Sequence, residues 1–475
     1  QLGRVEFDLV SNGLINTDAI DNSAGVDCSD HEVNIKILLD QVVRDGDITL
    51  KQRNGLLAEM TDSVAQLVLR HNYLQSQALS ISAAARTEII GDQTRLIRAL
   101  EQSGRLKRAI EFLPNDEALA ERENNGSGLS RPETAVLLAY SKIRLYDDLL
   151  ASDIAEDAYL AGELQDYFPD PVRERYALHM ENHPLRREII VTRIANSLVN
   201  RMGSTFCQRI QDVTGHAPAD IARAYTVARE VYALRTMWQQ IEALDNQIPA
   251  SEQLEMLSST IRLVDRCTLL LLRNRRQPMD IAAVVAELGA NVAQVSSGIG
   301  GFLRGDTRTA FKRRLRHYTN LGAPESLAAN MAGMDALYSA LDITDVAVRG
   351  ELNVIEVAGA YFALGIALDL HWLLMAIRAL PRHTQWQNQA RSALRDDLFT
   401  EMRHLTGHLI RTTPNVRKSD RRVEAWLSNN ATAVERCKRV FAEIQSSPNP
   451  DLAMLSVAVR AVRSLITEDV IPSVE

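Results

Sequence analysis

The amino-acid sequence predicts a mainly α-helical protein. Beyond residue 32, apolar residues recur every three or four positions, for example Ile190, Ile194 and Leu198. This period places them on one face of a helix. The breaks between such stretches are short and rich in Gly, Pro and Asn, as at residues 123–128, and no stretch between them alternates long enough to build a sheet.

Local signals mark where individual helices begin. Ser130 and Glu133 stand three residues apart, the spacing of a capping box, and Pro132 lies between them in the first turn, where proline is tolerated. Pro184 precedes the periodic stretch that contains Ile190 and Ile194. These signals predict two long amphipathic helices.

The first 50 residues differ from the remainder of the chain. They carry ten carboxylates against three cationic groups, whereas the whole chain of 475 residues has a net charge of −8. The opening letters GRVEFDLVSNGLINTDAI favour a short strand, an Asn-Gly turn and an extended segment. We therefore expect a short α/β remnant of a preceding domain at residues 1–45 and a multi-helix C-terminal domain at residues 46–475, with room for two subdomains.

Composition disfavours several classes of function. The acidic balance argues against a general nucleic-acid binder, and the four scattered cysteines show no CxxC spacing, which fits a reducing compartment without a zinc module. The apolar segment Val357–Leu368 spans 12 residues, against the roughly 20 that a membrane-spanning helix needs. It predicts a buried core helix and no membrane partner.

Three further motifs have ordinary structural explanations. His404 and His408 could share a metal ion on one helix face, but no third ligand is suggested, so we predict no metal site. Residues 302–318 carry six cationic side chains, which fit a solvated helix face or a contact with an acidic domain better than a phosphate site. The glycines at 296–305 miss the dinucleotide fingerprint because Leu303 occupies its third glycine position.

The stretch DNSAGVDCSDHE at residues 21–32 is the strongest candidate for a functional site. Asn22–Gly25 offers small residues that let a ligand approach the backbone closely, and Ser29 and Asp30 fit the N-cap of the helix that follows. A hydroxyl at a helix N-terminus can hydrogen-bond a carboxylate. The same residues could also serve only to make a turn and cap the helix.

Residues 22–32, NSAGVDCSDHE, resemble the NAGGVxxSxxE segment of glutamate dehydrogenases. The longer segment at 15–39 is similar to the large, bacterial, NAD-specific branch of that family. Further segments that resemble the helical C-terminal region of this branch follow in order along the chain, at 105–114, 128–142, 183–206 and 321–343.

This resemblance implies oxidative deamination of L-glutamate to 2-oxoglutarate and ammonium, with hydride transfer to NAD, in a cytoplasmic homo-oligomer. It implies that Ser29 hydrogen-bonds the γ-carboxylate of the substrate, that Val26 packs on its side chain, and that Asn22 lies beside the nicotinamide. The catalytic lysines and the dinucleotide-binding domain are expected upstream, so no catalytic residue is predicted within this chain. The alternative is a non-catalytic helical module that binds partners or regulates an enzyme.

Overall fold

The computed structural model of the chain describes residues 1–11, 13–381 and 385–466. Within these ranges the regular secondary structure consists of helices alone. The prediction of a mainly α fold is therefore confirmed.

The helices follow one another with short connections. The first part of the chain contains α1 Leu2–Ser11, α2 Asp18–Asp21, α3 Ser23–Arg44, α4 Leu50–Glu59, α5 Thr61–Ala84, α6 Arg86–Gln102, α7 Arg108–Glu111, α8 Asp116–Asn124, α9 Arg131–Leu150, the 3-10 helix η1 Ile154–Glu156, α10 Gly162–Tyr167, α11 Asp170–Arg173, α12 Ala177–Glu181, α13 Arg186–Met202 and α14 Phe206–Thr214. The second part contains α15 Pro218–Val231, α16 Leu234–Glu242, α17 Ala250–Asn274, α18 Ile281–Phe302, α19 Gly305–Asn320, α20 Glu325–Leu337, α21 Ala340–Arg349, α22 Val354–Ala367, α23 Leu370–Ala379, α24 Gln385–Thr412, α25 Ser419–Asn429, α26 Ala431–Gln445 and α27 Leu452–Arg463.

The chain divides into two compact units. The first comprises residues 1–228 and 260–282, and the second comprises residues 229–259 and 283–475. The domain boundary predicted near residue 45 falls inside the first unit, at the end of α3. As a statement about where a catalytic domain ends, that boundary stays a prediction.

Helix α9 begins as the sequence predicts. The Ser130 side chain accepts a hydrogen bond from the backbone N–H of Glu133, and the Glu133 carboxylate accepts one from the backbone N–H of Ser130 at 2.7 Å. Pro132 lies in the first turn. This reciprocal capping satisfies backbone groups that the helix itself leaves without partners, which explains why α9 starts at this position.

The sequence also predicted the buried face of α13, because Ile190, Ile194 and Leu198 are all buried in the structure. Their spacing of four residues keeps them on one side of the helix, and this side faces the core of the first unit. The periodic pattern in the sequence therefore identified the buried face correctly.

The short strand predicted at the start of the chain is wrong, because residues 2–11 form α1. The alternation of Val5, Phe7 and Leu9 suggested a strand, yet only Val5 of these three is buried. Asp8 is buried instead, and its carboxylate accepts a hydrogen bond from the backbone N–H of Arg131. A partner more than a hundred residues away thus favours the helix. The predicted Asn-Gly turn includes Asn12, which lies outside the described residues.

The apolar segment around residue 360 forms α22, and most of its apolar side chains are buried. The prediction of a core helix is confirmed. Among the described residues no single helix is long and apolar enough to cross a membrane. Only α22 and α23 taken together pass that test, and they are bent by 72° relative to each other.

Candidate functional site

Helix α3 begins earlier than the sequence suggested. It starts at Ser23, so the predicted N-cap at Ser29 and Asp30 is wrong, and Ser29 lies in the second turn. Contacts from α5 explain the early start: the side-chain amide of Asn72 donates hydrogen bonds to the carbonyl of Ile20 at 2.8 Å and to Oγ of Ser23 at 2.9 Å. These tertiary bonds outweigh the low helix propensity of Ser23 and Gly25.

The three residues predicted to contact substrate and cofactor lie on one face of α3. Asn22, Val26 and Ser29 follow at intervals of four and three residues, and Val33 continues the row four residues further on. Such intervals place side chains on one side of a helix. All four residues are exposed, with 77% of Val26 and 53% of Val33 accessible to solvent. We call these four residues the open stripe.

The polar groups of the open stripe are available to a ligand. Asn22 occupies the N-cap position of α3, but its side chain makes no capping hydrogen bond. Within the described residues the Ser29 hydroxyl donates only to the carbonyl of Gly25, at 3.3 Å, which is long for an O–H···O hydrogen bond. An amide, an apolar surface and a hydroxyl thus alternate along one exposed face. This order suits a ligand that has an apolar stem between polar ends.

The opposite face of α3 is anchored firmly. His31, Asn34, Ile35 and Leu38 are buried there. The Asn34 amide donates to the Tyr167 hydroxyl at 2.9 Å, and the Tyr167 hydroxyl donates to the Asp30 carboxylate at 2.7 Å. These contacts to α10 fix the rotation of α3 about its axis. The direction in which the open stripe faces is therefore determined by the packing behind it.

His183 adds a second anchor to the back of α3. Its Nε2 lies 3.1 Å from the carbonyl oxygen of Asn34, and its Nδ1 accepts a hydrogen bond from the backbone N–H of Leu185 at 3.1 Å. A carbonyl can only accept, so Nε2 carries the proton and the ring is neutral. Burial lowers the pKa of His183, which keeps the ring in this neutral form.

Asp27 lies between Val26 and the predicted substrate ligand Ser29 in sequence, but its carboxylate turns away from the open stripe. Asp27 Oδ2 lies 2.8 Å from Nδ1 of His71 on α5, and Asp27 Oδ1 lies 3.9 Å from Nε2 of His31. A carboxylate beside an anionic ligand would oppose its binding. Because Asp27 is paired on the rear side, the open stripe is left free of that repulsion.

Sequence reasoning missed the groups that surround Asp27. Burial lowers the pKa of His31 and lowers the pKa of Lys142 to about 7, while Asp27 opposes both shifts. Tyr167 stacks on the His31 ring with centroids 4.4 Å apart. The pair Asp27 and His31 could be recognised from its spacing of four residues, but nothing in the sequence indicates that His71 and Lys142 join it.

The other motifs that the sequence singled out lie in ordinary helices. His408 is buried and its Nδ1 accepts a hydrogen bond from Nε1 of Trp426 at 3.1 Å, whereas His404 is exposed on the same helix. The glycine-rich segment lies at the end of α18, so its glycines belong to a helix rather than to a phosphate-binding loop. The basic segment forms α19.

Two family models match the chain. Residues 1–82 match the family model described as "Bacterial NAD-glutamate dehydrogenase, catalytic domain". Residues 126–464 match the model described as "Glutamate dehydrogenase, C-terminal". The open stripe lies in the first of these regions, and the match extends past the boundary predicted at residue 45.

Curated proteins similar to the chain are described as NAD-specific glutamate dehydrogenases. The chain is 44% identical to the NAD-specific glutamate dehydrogenase of Pseudomonas aeruginosa and 39% identical to that of Halomonas elongata, in each case over 98% of this chain and 29% of the relative. It is 38% identical to the corresponding protein of Mycobacterium tuberculosis, over 98% of this chain and 28% of the relative. The chain belongs to the bacterial NAD-specific glutamate dehydrogenase family, and it spans less than a third of the length of these relatives.

Proposed function

We propose that this chain is the C-terminal part of an NAD-dependent glutamate dehydrogenase. The complete enzyme converts L-glutamate to 2-oxoglutarate and ammonium, and NAD accepts the hydride. The observation that supports this proposal best is the open stripe. It presents Asn22, Val26 and Ser29 together on an exposed helix face, in the order that the family resemblance assigns to cofactor, substrate side chain and substrate carboxylate.

Each residue of the open stripe has a role that suits its chemistry. Ser29 donates a hydrogen bond to the γ-carboxylate of glutamate, exchanging its long bond to the Gly25 carbonyl for a charge-assisted one. Val26 packs against the methylene groups of the substrate. The Asn22 amide, which makes no capping bond, meets the nicotinamide end of the cofactor.

The groups that perform the chemistry are proposed to come from the rest of the intact polypeptide, by which we mean the longer protein that contains this chain. General acid–base catalysis needs groups within hydrogen-bond reach of the reacting atoms. We assign residues 1–45 to the end of the catalytic domain and residues 46–475 to a helical C-terminal domain. The isolated chain is expected to be inactive, while the intact enzyme acts in the cytoplasm as a homo-oligomer.

The substitution Ser29→Ala in the intact polypeptide tests this proposal. Loss of a hydrogen bond to a charged group costs roughly 1.5–3 kcal/mol, so the KM for glutamate should rise about tenfold to hundredfold. Ser428→Ala is the matched control, because Ser428 also lies on an exposed helix face and donates to the carbonyl four residues earlier. An unchanged KM for the Ser29 variant, or an equal rise for the control, contradicts the assigned role.

A second candidate function is a helical module that docks an acidic partner, and α19 is the observation that favours it. Arg304, Arg308, Lys312 and Arg316 are exposed and follow at intervals of four residues, so they form one basic face. Arg314 points elsewhere and pairs with Asp335 at 2.8 Å. Such a face supports electrostatic association.

Charge reversal at Arg308 and Lys312 tests the second function. Under this proposal the double substitution to Glu weakens subunit or partner association and reduces its dependence on salt, as sedimentation at two ionic strengths measures. The control is charge reversal at Arg417 and Lys418, which are also exposed and adjacent to a helix. Unchanged association excludes the basic face of α19 as a docking surface.

A further inference from the structure

Three potential metal ligands meet on the rear side of α3. Asp27 and His31 lie four residues apart on α3, and His71 reaches them from α5. The carboxylate and imidazole ligand atoms of these residues all lie within 4.8 Å of one another. Asp27 Oδ2 is 2.8 Å from His71 Nδ1, and Asp27 Oδ1 is 3.9 Å from His31 Nε2.

We propose that Asp27, His31 and His71 form a binding site for a divalent transition-metal ion of the Zn²⁺ class. Two imidazoles and one carboxylate are a donor set that such ions bind readily. In tetrahedral coordination with bonds of about 2.0–2.1 Å, ligand atoms are separated by roughly 3.3 Å. The three ligand atoms, one from each residue, lie within 4.8 Å of one another, so shifts of up to about 1.5 Å would bring them to this separation.

The state of His31 points independently to a ligand. The His31 side chain has no exposed surface, and neither ring nitrogen forms a hydrogen bond with any part of the chain that the structure describes. A buried polar group without a partner is costly, and native structures rarely leave one uncompensated. A metal ion bound by Nε2 compensates one of the two nitrogens directly.

The surroundings hold the His31 ring ready for this role. The ring lies between Tyr167, with centroids 4.4 Å apart and planes at 22°, and His71, with centroids 5.7 Å apart and planes at 18°. Tyr167 is itself fixed by its hydrogen bonds to Asp30 and Asn34. Substitution of the residues that orient a metal ligand typically lowers the affinity for the metal tenfold to hundredfold.

Two cationic groups lie near this cluster and need to be considered. Arg193 is paired with the Glu163 carboxylate at 3.3 Å, which offsets its charge. Lys142 lies close enough to Asp27 to interact with its carboxylate electrostatically. Metal binding at this cluster would therefore have to compete with Lys142 for the Asp27 carboxylate.

Such an ion would tie α3 to α5 behind the open stripe. It would lie on the side of α3 away from Ser29, so it would fix the helix rather than contact the substrate. The inference does not depend on the proposed enzymatic activity, because it rests on the three ligands and on the buried, unpartnered ring of His31.

Metal titration of the intact polypeptide tests the site. After treatment with a chelator, Zn²⁺ is added and the bound metal is counted, while thermal unfolding is followed in parallel. The wild-type protein should bind one more equivalent of Zn²⁺ than the His71→Gln variant, and Zn²⁺ should raise its Tm. The Asp27→Asn variant, which preserves side-chain shape, should bind at least about tenfold more weakly. Circular dichroism confirms that both variants fold.

His179→Ala is the matched control. His179 Nε2 lies 3.3 Å from carboxylate oxygens of both Asp45 and Asp47, but those carboxylates are more than half exposed. This variant should bind as much Zn²⁺ as the wild type. Equal metal content in the wild-type protein and the His71→Gln and Asp27→Asn variants, or an equal loss in the control, overturns the proposal.

Titration with Co²⁺ tests the donor set itself. Binding by nitrogen and oxygen ligands should produce visible ligand-field bands without an intense thiolate charge-transfer band. Cys28 is exposed and adjacent to Asp27 in sequence, so a thiolate band that disappears in Cys28→Ser would show that the cysteine binds the ion. That result would overturn the assigned set of ligands.

Discussion

The side-chain amide of Asn34 on α3 donates a hydrogen bond to the hydroxyl of Tyr167 on α10, 133 residues further along the chain and 2.9 Å away. The same hydroxyl donates to Asp30 at 2.7 Å. This relationship fixes the buried side of α3, and it thereby determines which residues of the helix face outward. The open stripe of Asn22, Val26, Ser29 and Val33 is a consequence of this anchoring.

Tyr167→Phe removes the shared hydroxyl and should destabilise the protein. The buried Asn34 amide and the exposed Asp30 carboxylate would each lose one hydrogen bond, and a typical hydrogen bond contributes about 0.5–1.5 kcal/mol. Urea unfolding measures the change. Tyr176→Phe is the control, since the Tyr176 hydroxyl makes no hydrogen bond within the part of the chain that the structure describes. Equal stability of Tyr167→Phe and wild type would mean that the anchor is unimportant.

Arg131→Met should be markedly destabilising, because Arg131 joins the first residues of the chain to α5. Its guanidinium donates to Asn16 Oδ1 at 2.6 Å, to Ser80 Oγ at 3.1 Å and to the Ser76 carbonyl at 3.1 Å. We expect a loss of about 3 kcal/mol in the free energy of unfolding, since several partly buried acceptors lose a charged donor.

Arg105→Met provides the comparison for that variant. Arg105 pairs with Asp147 through side chains that are each about a third or more exposed, at 34% and 44%. Exposed ion pairs contribute roughly 0–1 kcal/mol. A similar loss in the two variants would contradict the anchoring role of Arg131.

Stability should fall on mild acidification, and His183 should account for part of the fall. Burial lowers the pKa of His183 below its ordinary value of 6.5, although Asn34 and Glu188 oppose this. As the pH drops through 6.5, this histidine is protonated in the unfolded state before it is protonated in the folded state. The contribution of His183 to the free energy of unfolding, which is present above that pH, is therefore lost below it. Protonation would also abolish the acceptor for the Leu185 N–H.

His183→Gln cannot titrate and isolates this contribution. The variant should be less stable than the wild type at about pH 8, and the difference should shrink towards about pH 5.5. Urea unfolding at both pH values gives the comparison. A difference that is constant across this range would show that the neutral His183 ring does not contribute to the pH dependence.

The cysteines should differ strongly in reactivity. All four are thiols outside disulfides, and Cys28 is exposed while Cys267 and Cys437 are buried. Burial raises the pKa of Cys207 to about 12 and the pKa of Cys437 to about 11, and the thiolate is the reactive form. A disulfide reagent applied to the folded chain should modify one thiol rapidly, and Cys28→Ser should remove that phase. Rapid modification of two or more thiols would contradict the burial described here.

The sequence predicted the long helices well because their starts depend on neighbouring residues. The capping box of Ser130 and Glu133 and the buried row that begins at Ile190 both appeared as expected. Their signals lie within one or two helical turns. Local pattern and tertiary packing agree at these positions, so the sequence was sufficient.

The start of α3 could not be predicted in the same way. Ser23 and Gly25 favour a loop locally, but Asn72 binds Ile20 and Ser23 from another helix and extends α3 towards its N-terminus. The meeting of Asp27 and His31 with His71 likewise depends on how α3 packs on α5. The candidate residues of the open stripe came from family resemblance, and their exposure on one face emerged only from the fold.

The substrate specificity of Ser29→Ala in the intact polypeptide tests the central claim most directly. The measurement compares kcat/KM for L-glutamate and for L-norvaline, which has a methyl group in place of the γ-carboxylate. If Ser29 binds that carboxylate, the variant should lose about tenfold to hundredfold with glutamate and remain nearly unchanged with norvaline. An equal loss with both substrates, or no loss with glutamate, would show that the open stripe does not recognise the substrate carboxylate.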